Sequence, residues 1–233
     1  MKRGNYGLDA PSVVIGYIAG GAVLIIAGLA LLSRFYYAGW MFNLGVIFLL
    51  IGCYMLYGSK IGKYKMREKM IRELSIKGNE TALDVGCGRG LMLNGVAAEL
   101  STGKAYGIDI WAGKDQSGNS CEAAMQNARI EGTESKVEIV NSDMRKMPFP
   151  DGSFDIIVSS LAIHNLKNSD ERKKALTEIA RVAKKDCRVA ILDLANIDFY
   201  AKVLSSEGFH IEKITKNQLQ IFPPVKVLYA RKQ

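Results

Sequence analysis

The sequence predicts an α/β domain with a mostly parallel sheet, preceded by two helices that cross a membrane. Two long uncharged runs fill the first quarter of the 233-residue chain. From Glu80 onward the texture changes to short β-type runs alternating with helical patterns. Where the first β-run meets the first of those helices stands a glycine-rich turn, Gly86-Cys87-Gly88-Arg89-Gly90.

The first apolar run, Ser12 to Leu32, carries no charge. As a helix it is about 30 Å long, enough to cross a hydrocarbon core. Ser33, Arg34 and Phe35 interrupt it, and a second uncharged run follows from Tyr36 to Tyr57. Phe35, Tyr36, Tyr37 and Trp40 lie near one end of that run and Tyr54 and Tyr57 near the other, the aromatic belt of a spanning helix. Lys2 and Arg3 precede the first run and a Lys/Arg cluster follows the second, whereas the connecting turn holds only Arg34. The positive-inside rule then puts both termini and the soluble part in the cytoplasm. A cleaved leader would have a shorter core and a small-residue cleavage site. Helices buried in a soluble protein would be less uniformly apolar. A re-entrant hairpin stays open as an alternative because the turn is short. Ser12, Gly16 and Gly20 form a small-residue ridge. Packing within the hairpin is its plainer use, and a homo-oligomer through the hairpin is the other.

Composition agrees with this division. Hydrophobic residues make up 48% of the chain and the mean hydropathy is +0.05, high for a soluble α/β protein. The net charge of +8 could suggest nucleic acid as a partner, but its distribution argues against that. Lys60, Lys63, Lys65, Arg67, Lys69, Arg72 and Lys77 crowd beside the second run, opposed only by Glu68 and Glu73. An anionic lipid surface explains such a cluster more simply. The four cysteines show no CxxC pairing, and only His164 and His210 could join them, so neither a metal site nor a disulfide framework is expected. Cys53, Cys121 and Cys187 read as small buried apolar residues in a reducing compartment.

Three units follow: a hairpin over 1–57, a basic linker helix over 58–78 and the α/β domain over 79–233. In the linker, Met66, Met70 and Leu74 recur every four residues with Ile71 beside them, one apolar stripe opposite a basic face. The basic face suits an anionic leaflet; a linker packed on the domain is the equal and compatible reading. In the domain, strands are expected at Thr81–Val85, Ala105–Ile108, Val137–Val140, Phe154–Ser159 and Arg188–Leu192. Helices are expected near Leu91–Leu100, Cys121–Glu131 and Asp170–Lys184, with Gly132 closing the second and Ser169 capping the third. A helix near Phe199–Glu207 and strands near His210–Thr215 and Val225–Ala230 complete the chain. The last two strands are joined too briefly for a helical crossover, so they are antiparallel.

The glycine turn lets backbone approach a ligand closely and opens a helix whose free N–H groups favour an anion. Alone it is a weak signal. Its spacing is GxGxG, Asp84 stands just before it, Asp109 closes the next strand, and Asp143 follows the third in Asn141-Ser142-Asp143-Met144. With the fourth strand ending at Ser159-Ser160, these groups converge at the carboxyl ends of neighbouring strands, where such sheets bind ligands.

In these motifs, and in Ala175-Leu176-Thr177-Glu178-Ile179-Ala180-Arg181-Val182, the stretch from Glu80 to Lys232 resembles the class I S-adenosylmethionine-dependent methyltransferase family, in its small-molecule and quinone-type branch. The resemblance implies a seven-stranded Rossmann-like sheet with an antiparallel last strand and S-adenosylmethionine as cofactor. By motif, Gly86, Gly88 and Gly90, with Cys87 between them, would line the methionine portion and Asp84 would hold its ammonium. Asp109 would take the ribose hydroxyls, with Ile110 beside it. Asp143 would bond the adenine amino group with Met144 nearby, and Ser160 would face the methyl. The polar loop Trp111 to Asn119 is longer than the family pattern. Trp111 is either an adenine stacker or an anchor of that loop. His164, in Ala162-Ile163-His164-Asn165, is the candidate general base if the acceptor arrives protonated; its alternative is a hydrogen-bonded loop histidine. His210 is expected to be structural.

The short span between the fifth and sixth strands leaves little room for a substrate lid. The hairpin and linker are therefore expected to close the site, with an amphiphilic small molecule as substrate and the lipid bilayer as partner. A tether for an enzyme acting on a soluble molecule or protein is the alternative. A nicotinamide enzyme is disfavoured by the GxGxG spacing, Asp143 and the antiparallel last strand. A non-catalytic cofactor sensor is disfavoured by the intact motifs.

Overall fold

A computed structural model describes residues 3–36, 38–111 and 118–233. Lys2, Tyr37 and the centre of the Trp111–Asn119 loop, named above, lie outside the described residues.

Helices α1 (Pro11–Leu31) and α2 (Ala38–Tyr57) form the expected hairpin. Both are long and apolar enough to cross a membrane. Their contact runs through glycines, but not through the ridge the spacing suggested. A Cβ on Gly21 would stand 2.8 Å from the Gly45 carbonyl oxygen, and one on Gly28 only 2.7 Å from the Phe42 nitrogen. Gly16 instead faces open space, with nothing within 4 Å of its Cβ position. Small residues recur on two faces of α1, and the pair that meets α2 is Gly21 and Gly28. The outer surface is left to Ile15, Val23, Ile26, Leu29, Trp40 and Leu50, each more than half exposed.

A π-helical turn at Gly58–Gly62 leads directly into α3 (Lys63–Leu74), so helix continues from Ala38 to Leu74 over 37 residues. The linker is a rigid extension of the second apolar run. Its stripe of Met66, Met70, Ile71 and Leu74 is buried in the domain core with Leu93, Val96 and Ala97. Packing on the domain is therefore where the apolar face goes. Arg67 reinforces the joint through an ion pair of 2.9 Å to Glu131.

The domain is one seven-stranded sheet in the order β3-β2-β1-β4-β5-β7-β6. The strands are β1 (Thr81–Val85), β2 (Lys104–Asp109), β3 (Val137–Asn141), β4 (Phe154–Ser160), β5 (Ala183–Asp193), β6 (Phe209–Ile214) and β7 (Lys226–Lys232). The first five pair in parallel, and β7 runs antiparallel to both β5 and β6. Chain order reverses between β1 and β4, which opens a crevice at their carboxyl ends. Helices α4 (Leu91–Glu99), α5 (Cys121–Glu131), α6 (Ser169–Val182) and α7 (Ile197–Ser206) cover the faces. Gly132 closes α5 in the left-handed conformation, as expected. The cap of α6 is Asn168 rather than Ser169: its side chain accepts the Glu171 N–H at 2.9 Å. Strand β5 starts five residues before the apolar run that signals it, because Ala183 pairs with Phe154 ahead of an irregularity in β4.

Candidate active site

The left-handed conformation recurs at Gly86, Gly88 and Gly90, with φ of 73°, 51° and 83°. The turn is clamped to β2, since the N–H groups of Gly86 and Cys87 both donate to the Ile108 carbonyl, at 2.9 and 3.0 Å. A Cβ on Gly86 would lie 2.3 Å from that of Ala162, so only glycine lets the turn pass the chain leaving β4.

Acids close the neighbouring strands. Asp84 is 2% exposed and accepts the Leu93 N–H at 2.8 Å, tying the end of β1 to the first turn of α4. Burial pushes its carboxyl up to about 7; the Leu93 hydrogen bond opposes this and the Asp109 charge adds to it. Asp109 accepts the Gly88 N–H at 2.8 Å on one oxygen and the Trp111 N–H at 2.7 Å on the other. Asp143 is gripped by the Arg145 guanidinium, with contacts of 2.5 to 3.0 Å, which holds its carboxyl below the usual range.

These groups border a cavity of about 880 Å³. At the ends of the strands it is lined by Asp84, Gly86, Cys87, Gly88, Asp109 and Ile110, together with Asp143, Met144, Ser160 and His164. The remaining wall comes from outside the sheet crevice. It includes Asp9 before α1, Ser12 and Val13 in its first turn, Met55 in the last turn of α2, and Lys63 and Met66 in α3. Ile221, Phe222 and Pro223, from the β6–β7 loop, complete it. Five of the nine methionines line this space: Met55, Met66, Met70, Met92 and Met144. Unbranched thioethers adapt to an irregular apolar ligand.

The segment before α1 is strapped over the domain. Gly4 N–H donates to Glu131 at 3.0 Å, and Asn5 N–H to Asn127 at 2.8 Å. The Lys63 ammonium, nearly buried, donates to the carbonyls of Tyr6 and Gly7 at 2.7 and 3.0 Å and to Asp9 at 3.2 Å. Burial lowers the Lys63 pKa, and Asp9 counters it.

At the far side of the cavity, His164 Nδ1 lies 2.6 Å from Asp193 Oδ1 at the end of β5, off the line of its N–H bond. Asp193 is fully buried and also accepts the His164 backbone N–H at 3.1 Å, the Leu194 N–H at 2.8 Å and the Tyr200 hydroxyl at 3.1 Å. The buried carboxylate holds the His164 backbone and stands beside the imidazole, whose Nε2 has no partner among the described residues. This arrangement can take a proton from a ligand in the cavity.

Most of the residues expected at the site do meet there, with four adjustments. Gly90 is not in the lining; it starts α4. Trp111 is also absent from it and packs against the core. The Cys87 thiol points into the core beside Gly107, where burial raises its pKa well above the ordinary value. The Asp143 carboxylate lines the cavity but is also engaged by Arg145. Asp9, Lys63, Asp193 and Tyr200 were not foreseen. For Asp193 there was a signal, since Ile191-Leu192-Asp193 ends a strand in an acid just as Leu83-Asp84-Val85 nearly does.

Residues 83–191 match the family model described as a methyltransferase domain. A 2-phytyl-1,4-naphtoquinone methyltransferase of Trichormus variabilis is 30% identical over 135 residues, 57% of this chain and 55% of that one. A demethylmenaquinone methyltransferase of Lactobacillus johnsonii is 27% identical over 128 residues, 54% of this chain and 49% of the other. The chain thus spans about half the length of the curated relatives it matches. Among solved structures, a SAM-dependent methyltransferase from Aquifex aeolicus superimposes with a TM-score of 0.58 at 24% identity, covering 72% of this chain and 89% of that one, a likeness of fold.

Proposed function

We propose, since residues 83–191 match the methyltransferase-domain model, that the chain transfers a methyl group from S-adenosylmethionine to a lipid-like acceptor of quinone type in the membrane its hairpin crosses. The observation that carries this reading is the shared cavity: the glycine turn and His164 border the same space as Val13 and Met55 of the two apolar helices.

The site fits the cofactor. Gly86 and Gly88 of the turn, both in the left-handed conformation, line the cavity with backbone, as the close approach of a ligand requires. Asn119 lines the cavity with a buried Oδ1 that has no partner among the described residues, an acceptor suited to an amino or hydroxyl donor. Asp84 and Asp109 each keep lone pairs for an ammonium and for ribose hydroxyls. S-adenosylmethionine supplies an electrophilic methyl on a positively charged sulfur. The chain's own residues align it with the acceptor and exclude water. Ser160 would face the methyl group, and His164 Nε2 would receive the proton the acceptor gives up, with Asp193 beside the ring.

Two relatives are named for quinones, one of them bearing a phytyl chain. The methionine-rich wall between the reacting end and the hairpin suits such a flexible tail. The lipid-facing reading of α1 and α2 rests on their exposure, for only 17% of either apolar window is buried in the protein. Arg3, Lys60 and Lys65 flank the apolar runs on the domain's end of the hairpin, and by the positive-inside rule this supports a cytoplasmic domain.

The test incubates the full-length protein in vesicles with methyl-labelled S-adenosylmethionine and a lipid extract. Label is expected in the organic phase. Label confined to the protein or aqueous fractions rejects the lipid acceptor, and no label despite binding of S-adenosylhomocysteine rejects the transferase.

A further inference from the structure

The β6–β7 loop, residues 215–225, reaches across to the hairpin. The Tyr54 hydroxyl donates to the Leu219 carbonyl, and the Tyr54 ring lies 5.5 Å from that of Phe222. The loop seats in a notch made by two glycines: Gly58 has its Cβ position 3.3 Å from the Ile221 Cα, and Gly62 has its own only 1.6 Å from the Gln220 carbonyl oxygen. Lys69 adds a hydrogen bond of 2.6 Å to Gln218. The loop is thus fixed to the helix beside Tyr54, which belongs to the apolar part of α2, three residues before its end at Tyr57. At a rise of about 1.5 Å per residue, the attachment lies roughly 4–5 Å inside the span.

What the loop shows to the outside suits that depth. Leu219 is 63% exposed, and its backbone is the part bound to Tyr54. Lys216 is exposed beside it, and no acidic residue occurs from Lys213 to Gln233. An apolar tip with a cation nearby and no acids matches the boundary between acyl chains and anionic headgroups. The inner edge of the same loop, Phe222 and Pro223, borders the cavity together with Val13 and Met55.

We infer that the β6–β7 loop is a third membrane element, with Leu219 in the acyl boundary of the cytoplasmic leaflet, and that its Phe222–Pro223 edge forms with Val13 and Met55 the doorway between bilayer and cavity. The inference rests on the membrane-spanning reading of the hairpin. Its continuity with the hairpin's lipid-facing surface selects phospholipid over a protein partner.

The experiment places p-benzoylphenylalanine singly at positions 219, 47 and 173 of the full-length protein. Each variant is reconstituted in phosphatidylcholine–phosphatidylglycerol vesicles carrying a radiolabelled acyl chain and irradiated. Ile47 is an exposed mid-span residue of α2, and Lys173 is exposed on α6. Lipid adducts are expected at 47 and 219 and only background at 173. An adduct at 47 without one at 219, or equal yields at 219 and 173, overturns the third membrane element and leaves the anchor standing. No adduct at 47 removes the anchor itself and the inference with it.

Discussion

His164 and Asp193 show how a residue's role depends on partners remote in sequence. The histidine was visible as a candidate base from its place after a strand. The carboxylate that holds it is 29 residues away and meets it only because β4 and β5 are neighbours. His164→Ala is expected to lower turnover about 100-fold or more while S-adenosylhomocysteine affinity stays nearly unchanged; Asp193→Asn should give a smaller loss of the same kind. Normal turnover in His164→Ala would reduce it to a loop residue. Asp84 makes a second prediction. With its carboxyl raised to about 7, the folded protein keeps a proton that an unfolded chain would release near pH 4, so this group favours folding at low pH and that contribution is lost as pH rises from about 4 to 7. An ammonium bound beside it favours the ionised form. Calorimetry of S-adenosylhomocysteine binding at pH 6.5, in buffers of different ionisation enthalpy, should therefore show proton release, absent in Asp84→Asn.

The elements of the domain were legible because each carries its own period and its own stops. Pattern alone could not say where an amphipathic face goes. The stripe of α3 is unmistakable in sequence, yet its burial under α4 depends on Gly95, whose Cβ position lies 2.5 Å from Ile71 Cδ1. Met70 is fully buried there, so Met70→Ala should cost about 2–5 kcal/mol in denaturant unfolding. A fragment starting at Gly78 loses the whole stripe and should fail to fold, so the role of the hairpin has to be tested on the full chain. The hairpin was legible from hydropathy, and its register was not, because several glycine spacings on α1 are equally compatible with close packing. Gly21→Leu or Gly45→Leu should separate α1 from α2, read as lost cross-linking between cysteines placed on the two helices, whereas Gly16→Leu should leave it intact. The strap from Gly4 to Asp9 has no period at all and is held by hydrogen bonds that only the folded domain provides.

Across the whole molecule, the order of strands and the position of the crevice follow from βα alternation and the single reversal of chain order. The junction of the two halves does not. Nothing in the apolar runs indicates that Val13 and Met55 border the same space as Gly86, since that depends on the strap, the glycine notch at Gly58 and Gly62, and the loop that fills it.

The uninterrupted helix from Ala38 to Leu74 has a kinetic consequence. At about 1.5 Å per residue it is a rod of roughly 55 Å, and on the membrane-spanning reading proposed above one end is in lipid and the other locked into the core. The crevice would then not swing on a leash; it would travel in the plane of its own leaflet at a fixed height. Encounters with the acceptor are then two-dimensional. Dilution of the acceptor with inert phospholipid at constant bulk concentration should slow the reaction, whereas dilution of the whole suspension with buffer should not. Acceptor supplied in separate vesicles should react only as fast as it exchanges between membranes.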